Sequence, residues 1–176
     1  MILRKIFSVV WIKLNNRSQL FMDLVEKAKQ FATTAHKRIN HQRKYNKQPY
    51  TVHLSSVANI VSTVTDDQEM IAAAWLHDVV EDTPATLYDV EQEFGKDVAE
   101  LVENLTDISK PGDGNRQVRK LIDRQHIAVA SQRAKTIKLA DLIDNANDIT
   151  RNDAKFAELY LQEMNALLEV LDEGDT

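Results

Sequence analysis

Four side chains that can bind metals or carry protons lie close together in the run HDVVEDT at residues 77–83, directly after an apolar segment. If this region is one helix, Glu81 lies on the same face as His77, four residues earlier. Asp82 and Asp78 form a second pair with the same spacing. Acids at the carboxyl end of a helix oppose its dipole, and such a cluster is costly unless a cation compensates it. The pattern therefore favours a divalent cation site over a solvated helix end.

A second histidine and a distant acid are suitable partners for this cluster. His53 opens a new apolar period, and Asp141 is a lone acid among apolar neighbours in another helical stretch. The candidate metal ligands thus come from three helices and are His53, His77, Asp78 and Asp141. The absence of cysteine excludes a thiolate zinc site. Mixed imidazole and carboxylate ligands suit manganese, iron or magnesium, and zinc stays open; Mn²⁺ is the ion that we expect.

The order of these residues resembles the ligand order of the HD superfamily of metal-dependent phosphohydrolases. In particular, the chain is similar to the hydrolase domain of RelA/SpoT homologues and to small alarmone hydrolases. The matching motifs, which span about residues 24–150, are HQRK at 41–44 followed by Pro49, Tyr50 and His53; residues 73–83 with LHDVVEDT; Phe94, Gly95 and 98–102; and KLAD at 138–141 with Asn145.

The resemblance implies a hydrolase that uses one divalent cation to cleave a phosphate ester. Glu81 and Asp82 lie one turn beyond two of the ligands, so we expect them to be catalytic and to take the proton of a water or hold it in line. The implied substrate is guanosine 3′,5′-bis(diphosphate) or its pentaphosphate relative, cut at the 3′ position to release pyrophosphate. We expect no synthetase domain beside the hydrolase in a chain of 176 residues.

Basic residues crowd into residues 36–47 of an otherwise acidic chain and indicate an anion site beside the metal. Arg43 is the best candidate, because a guanidinium can pair with phosphate or stack on a base. The resemblance implies that Arg43 and Lys44 contact the nucleotide, and we expect Asn145 to join them. A second basic run at 116–124 is either a cover for a phosphate-rich ligand or an exposed helix face.

The chain departs from the family pattern after Asp141. Leu142 and Asn147 stand where the family usually has basic residues. Two alternatives therefore accompany the main hypothesis: a hydrolase of another nucleotide phosphate, such as an adenosine analogue or a nucleoside monophosphate, and a non-catalytic, metal-stabilised nucleotide sensor. Intact Glu81 and Asp82 argue against the sensor, since a binding module does not need them.

The remaining histidines and aromatic residues receive more ordinary interpretations. We expect a phosphate contact or a surface position for His36 and His41, and a structural role for His126. Trp75 and Tyr50 are interpreted as packing residues, with Tyr50 at the border of the site.

Composition limits the remaining classes. Four glycines and three prolines in 176 residues favour helices throughout. We predict an all-α, compact HD-type bundle over residues 22–176. The first predicted helix ends near residue 39, and the others span about 53–65, 67–82, 87–94, 96–108, 115–130, 132–148 and 153–171. Residues 1–21 are interpreted as an appendage, with a membrane-surface helix as the alternative.

Charge and cysteine content indicate the partners. A net charge of −5 argues against nucleic acid as a partner, and no segment is apolar enough to cross a bilayer. The absence of cysteine fits a reducing compartment, and we expect a cytoplasmic protein. The expected partner is a small-molecule nucleotide; the sequence leaves the oligomeric state open, a homo-oligomer included.

Overall fold

The computed structural model describes residues 24–172, and the regular elements in that range are helical. They are α1 (24–38), α2 (Thr51–Val64), α3 (Gln68–Leu76), α4 (Val79–Asp82), α5 (Leu87–Phe94), α6 (Lys96–Leu105), a 3₁₀ turn (Pro111–Asp113), α7 (Arg116–Ala128), α8 (Gln132–Asn152) and α9 (Ala154–Leu168). The predicted all-α bundle is confirmed. The predicted appendage at residues 1–21 lies outside the described residues and stays a prediction.

Helix α3 lies at the centre of the bundle. Its residues from Met70 to Leu76 are all buried, as expected for a helix that is apolar on every side. It packs against α2, α6 and α8. The side chain of Asp67 caps its amino end by accepting hydrogen bonds from two backbone N–H groups. Because α3 is central, the polar residues that follow Leu76 emerge inside the protein rather than at its surface.

The single helix predicted over residues 67–82 is wrong at one point. Helix α3 ends at Leu76, two turn residues follow, and α4 begins at Val79. Asp78 has φ −101° and ψ 0°, which lies outside the helical region. Consecutive residues of a regular helix point about 100° apart. The break at Asp78 instead brings its carboxylate to the imidazole of His77, at 3.1 Å.

Capping residues set the ends of the next helices. Thr86 forms a capping box with Asp89 at the start of α5. Gly95 has a positive φ of 87° and an extended ψ of 170°. It therefore serves as a sharp corner into α6. Helix α6 ends at Leu105, earlier than predicted, because Thr106 is extended and returns its hydroxyl to the carbonyl of Val102 at 2.8 Å.

The loop between α1 and α2 folds back on itself. An isolated antiparallel bridge joins Gln42 and Pro49, and the N–H of Arg43 donates to the carbonyl of Gln48 at 2.9 Å. Asn40 has a φ of 51°, a left-handed conformation that asparagine tolerates. This compact loop carries Arg43 back onto the bundle beside α8.

None of the helices within residues 24–172 combines the length and hydropathy that crossing a membrane requires.

Candidate metal centre and adjoining cleft

The four predicted metal ligands come together at the centre of the bundle. The Nε2 atoms of His53 and His77 lie 3.2 Å apart. Asp78 Oδ2 lies 3.5 Å from Nε2 of His53 and 3.1 Å from that of His77. Asp141 Oδ1 lies 3.3 Å and 3.8 Å from the same two nitrogens. Ligand atoms bound to one ion at about 2.1 Å are about 3.0–3.4 Å apart at octahedral or tetrahedral angles. Three of these five distances lie in that range, and His53, His77 and Asp141 form a group that could hold a metal ion, with Asp78 beside it.

The outer nitrogen of each imidazole has its own partner. His77 Nδ1 donates to the carbonyl of Ala74 at 2.8 Å. His53 Nδ1 donates to Asp144 Oδ2 at 2.7 Å. These partners keep a proton on each Nδ1, so each Nε2 points at the centre of the cluster. Both rings are therefore oriented to bind a metal through Nε2 once the proton on that nitrogen is lost.

The two carboxylates are held as firmly as the imidazoles. The hydroxyl of Tyr50 donates to Asp78 Oδ2 at 2.6 Å. The ammonium of Lys138 pairs with Asp141 Oδ2 at 3.0 Å, and the amide of Asn145 donates to Asp141 Oδ1 at 2.6 Å. Tyr50, interpreted from sequence as a packing residue, is thus also a hydrogen-bond donor to a candidate ligand.

Charge within the cluster shifts its pKa values strongly. Burial lowers the pKa of His53, but hydrogen bonds to Asp141, Asp144 and Asp78 outweigh it and raise the pKa to about 11. Burial also opposes the rise of the His77 pKa, which the charge of Asp78 and a hydrogen bond to Asp141 bring to about 9.

The carboxylates shift in the opposite direction. Burial acts to raise the pKa of Asp78 and of Asp141, yet the facing imidazoles, and Lys138 beside Asp141, hold both pKa values well below the usual range. Without a cation, the carboxylates therefore keep the imidazoles protonated. A bound divalent ion would replace those protons.

Glu81 and Asp82, the predicted catalytic acids, lie on α4 beside this cluster. Glu81 Oε2 accepts a hydrogen bond from the N–H of Asp107 at 3.3 Å. Loss of solvation and the negative charges of Asp107 and Asp78 raise the pKa of Glu81 to about 7. Loss of solvation and Asp78 likewise raise the pKa of Asp82 to about 6. Both acids can therefore exchange protons near neutral pH.

The rings of His36, His41 and Tyr50 stack on one another, and Nδ1 of His41 lies 3.8 Å from Asp82 Oδ2. His36 is 1% exposed, so the surface position or phosphate contact expected for it is wrong. Its Nδ1 lies 2.9 Å from Nδ1 of His41, and the ring of His41 stacks on that of Tyr50 at 3.8 Å. Desolvation lowers the pKa of His36 to about 4, so it is a neutral core histidine.

His126 and Trp75 have the roles expected of them. Nε2 of His126 lies 3.1 Å from the carbonyl of Glu103, away from the metal ligands, and Trp75 is 8% exposed within the core.

Arg43 and Lys44 occupy opposite environments. Arg43 is buried, and its Nη1 donates to Asp144 Oδ2 at 2.5 Å. Its Nε donates to Asp148 Oδ2 at 3.1 Å, and its Nη2 pairs with the same oxygen at 2.9 Å. The side chain of Lys44 is 71% exposed. The N–H edge of Arg43 is therefore committed to two carboxylates, whereas Lys44 is available to solvent.

A cleft of about 900 Å³ opens beside Asp141 and is lined by residues of α6, α7, α8 and α9. Its wall includes Asn145, Lys138 and three members of the second basic run, Arg116, Lys120 and Arg124. Arg116 pairs with Glu163 at 2.7 Å and Lys120 with Asp107 at 3.0 Å. These three side chains line the cleft, and those of Arg116 and Lys120 are also 46% and 45% exposed. Their role as a cover for a phosphate-rich ligand stays a prediction. Leu142 also lines the cleft, and Asn147 is exposed.

Sequence reasoning missed Asp144, which binds both His53 and Arg43. A usable signal was present on α8, where Lys138, Asp141, Asp144 and Asp148 recur at intervals of three or four residues. That spacing places them on one helix face. This face of α8 is polar, whereas apolar side chains on α8, such as Ala134 and Ile137, are buried in the core.

Comparisons with known proteins agree with this geometry. The model of the HD domain family matches residues 28–168. The chain is 41% identical over 127 residues to guanosine-3′,5′-bis(diphosphate) 3′-pyrophosphohydrolase MESH1 of Drosophila melanogaster. The aligned region covers 70% of this chain and 68% of that protein. It is 40% identical over 99 residues to the bifunctional (p)ppGpp synthase/hydrolase SpoT of Escherichia coli, covering 55% of this chain but 14% of that one.

A solved structure is also similar to this chain. It is a metazoan ortholog of SpoT, described as hydrolysing ppGpp. The two structures superimpose with a TM-score of 0.75 and 34% sequence identity, and the match covers 84% of this chain and 85% of the other. The family match covers well over half of the sequence and includes all four candidate ligands. The chain belongs to the HD domain family of proteins.

Proposed function

We propose that this chain is a metal-dependent guanosine 3′,5′-bis(diphosphate) 3′-pyrophosphohydrolase. The observation that carries the proposal is a buried cluster of two imidazoles and two carboxylates that adjoins a cleft lined by both basic and acidic side chains. The volume of about 900 Å³ suits a nucleotide, since small-molecule sites usually have about 300–1,000 Å³. The relatives named for this activity support the choice of substrate.

The residues that would hold the cation are His53, His77, Asp78 and Asp141, and we propose Mn²⁺ as the ion. Nitrogen and carboxylate oxygen donors without sulfur suit this metal. When bound, a divalent cation acidifies water and offsets negative charge on phosphoryl oxygens. Tyr50 and Lys138 hold the two carboxylates, so the protein's own part is to keep this donor set in place.

Glu81 and Asp82 would handle the protons of the reaction. A water oxygen adds to the phosphorus attached to the 3′ oxygen, and the bond between that phosphorus and the 3′ oxygen breaks. The water loses a proton to one of the two acids, and the 3′ oxygen gains one. The products are guanosine 5′-diphosphate and pyrophosphate. A pKa of about 7 for Glu81 and about 6 for Asp82 suits acids that must both accept and return protons near neutral pH.

Arg43, Lys44 and Asn145 are the proposed substrate contacts. Because the N–H edge of Arg43 is held by Asp144 and Asp148, we propose that it meets the base with its planar face rather than pairing with a phosphate. The exposed ammonium of Lys44 suits a phosphate group. Asn145 lines the cleft while bonded to Asp141, so it would fix the substrate next to the metal ligands.

The proposal includes a cytoplasmic location without nucleic-acid or membrane partners. The absence of cysteine from the sequence and its net charge of −5 support these assignments.

One observation favours a second candidate substrate. Leu142, an apolar residue, lines the cleft where the family usually has a basic one. A different nucleotide phosphate, such as an adenosine analogue, would need fewer cationic contacts there.

A nucleotide panel tests the two candidates against each other. Manganese-loaded protein is incubated with guanosine and adenosine 3′,5′-bis(diphosphates), with guanosine 5′-diphosphate and with nucleoside monophosphates. We expect pyrophosphate from the guanosine 3′-diphosphate substrate at the highest kcat/KM. Faster turnover of the adenosine compound would show that the adenosine compound is the preferred substrate of the same reaction. Phosphate release from monophosphates alone would overturn both the proposed substrate and the proposed reaction.

A further inference from the structure

Asp144 joins a candidate metal ligand to the buried arginine. Its Oδ2 accepts a hydrogen bond from Nδ1 of His53 at 2.7 Å and another from Nη1 of Arg43 at 2.5 Å. A carboxylate oxygen has two lone pairs, so one atom can accept both. Ser56, one turn after His53 on α2, helps to lower the pKa of this carboxylate. The contact therefore fixes α2 against α8 at the point where each helix supplies a ligand.

His53 depends on this contact for its orientation. Its side chain is fully buried, so water is not at hand to replace a lost partner. The bond to Asp144 keeps a proton on Nδ1 and turns Nε2 toward His77 and Asp141. A carboxylate behind a ligating imidazole also makes that imidazole a better donor to the metal.

Arg43 keeps Asp144 in its ionised form and in place. Asp144 is only 17% exposed, and three other carboxylates, of Asp78, Asp141 and Asp148, lie in the same region. A further buried negative charge would be costly without a cationic partner. Arg43 supplies that partner, and Asp148 holds Arg43 from the other side at 2.9 Å.

We propose that Asp144 is a positioning residue for metal binding, acting through His53 and held by Arg43. The inference rests on the metal site of the proposed function but not on the identity of the substrate. It makes the affinity for the cation depend on a side chain that does not touch the cation. It also connects a proposed base-contacting residue, Arg43, to a metal ligand through a single carboxylate.

A matched pair of variants tests the proposal. Asp144→Asn and Asp148→Asn each remove one carboxylate from Arg43, but only Asp144 contacts His53. Affinity for Mn²⁺ is measured on chelator-treated protein by calorimetry, without substrate. Loss of an outer partner of a ligating histidine commonly weakens metal binding by about 10–100-fold, and we expect that for Asp144→Asn. We expect Asp148→Asn to remain near the wild-type affinity. Equal affinities in the two variants would overturn the proposal.

A measurement on the unmodified protein covers the case in which Asp144→Asn does not fold. The sequence has five histidines, so long-range ¹H–¹⁵N correlations of the imidazoles can be assigned with single variants. We expect His53 of the metal-free protein to carry a slowly exchanging, strongly downfield Nδ1 proton. An Nδ1 proton of His53 that exchanges rapidly with solvent and is not shifted downfield would contradict the proposal, because the hydrogen bond to Asp144 would then be absent. Because neither test uses turnover, a failed hydrolase assay would leave both results interpretable.

Discussion

The Nε2 atoms of His53 and His77 lie 3.2 Å apart, although 24 residues separate them in the sequence. Each ring has its Nδ1 bonded elsewhere, to Asp144 and to the carbonyl of Ala74. Two buried imidazoles that face each other through the same atom are costly unless they share a proton or a cation. The two nearest carboxylates, of Asp78 and Asp141, complete the donor set that a divalent ion requires.

Loss of a ligand should remove the cation together with activity. We expect His77→Ala and Asp78→Ala to lose bound metal by elemental analysis and to lose hydrolysis. At a metal concentration a hundred times Kd, binding stabilises the native state by about 2.7 kcal/mol. Added metal should therefore raise the Tm of the wild type but not that of the variants.

His126→Ala is the control, since His126 is not one of the four candidate ligands and contacts the carbonyl of Glu103. It should keep its metal. Full metal content in a His53→Ala, His77→Ala double variant would refute this site.

Catalysis should be separable from metal binding at α4. Glu81→Gln and Asp82→Asn preserve size while removing the acid. We expect metal content to be retained while kcat falls by about two or more orders of magnitude, the usual effect of losing positioned acid–base help. Glu91→Gln, at an exposed acid of α5, should leave kcat unchanged. If both α4 variants hydrolyse the substrate at the wild-type rate, Glu81 and Asp82 have no catalytic role and only form the end of a helix.

The stability of metal-free protein should fall as pH rises above neutrality. His77 has a pKa of about 9 in the folded protein against 6.5 ordinarily, so its contribution is complete below pH 6.5 and is lost as pH approaches 9. Glu81 has a pKa of about 7 in the folded protein against 4.5 ordinarily. Its contribution to stability is likewise lost as pH rises from 4.5 to about 7. We therefore expect chelator-treated protein to have a lower Tm at pH 8.5 than at pH 6.5.

Metal binding should show the opposite pH dependence. Since the ion replaces protons on the imidazoles, affinity for Mn²⁺ should increase over the same range and protons should be released on binding. A Tm of metal-free protein that rises with pH, or binding without proton release, would contradict the charge assignments in the cluster.

The sequence draws attention to the four candidate ligands because each adjoins an apolar stretch: His53 opens one, His77 and Asp78 follow another, and Asp141 lies within a third. The structure brings the four side chains together, and their role as metal ligands stays a prediction. Those local patterns cannot reveal partners that come together only in the fold. Asp144 and Arg43 are 101 residues apart, and nothing near either one identifies the other. The same limit explains His36, whose basic neighbours suggest a surface residue although tertiary packing buries it.

The break at Asp78 is a case in which tertiary contacts override local propensity. The sequence from 68 to 82 has the pattern of one helix. The helix is interrupted at Asp78, where the side chains of His77 and Asp78 come together and Tyr50 donates a hydrogen bond to Asp78. Side chains of residues far away in sequence determine that geometry.

Arg43 and Lys44 should respond differently to salt. Arg43→Lys keeps a positive charge for Asp144 and Asp148 but loses the planar face. We expect a raised KM for the guanosine substrate with little change in kcat and little dependence on salt. Lys44→Ala should also raise KM, but by a factor that shrinks as salt increases, because an exposed contact to phosphate is screened. Wild-type KM values in both variants would exclude these residues as substrate contacts.

The most direct measurement is a ³¹P NMR record of guanosine 3′,5′-bis(diphosphate) incubated with manganese-loaded protein, with a chelator-treated sample beside it. We expect pyrophosphate and guanosine 5′-diphosphate to appear in equal amounts, with no free phosphate and no reaction after chelation. Persistence of the substrate under conditions in which elemental analysis shows a filled metal site, or release of single phosphates, would contradict the assignment of this chain as a 3′-pyrophosphohydrolase.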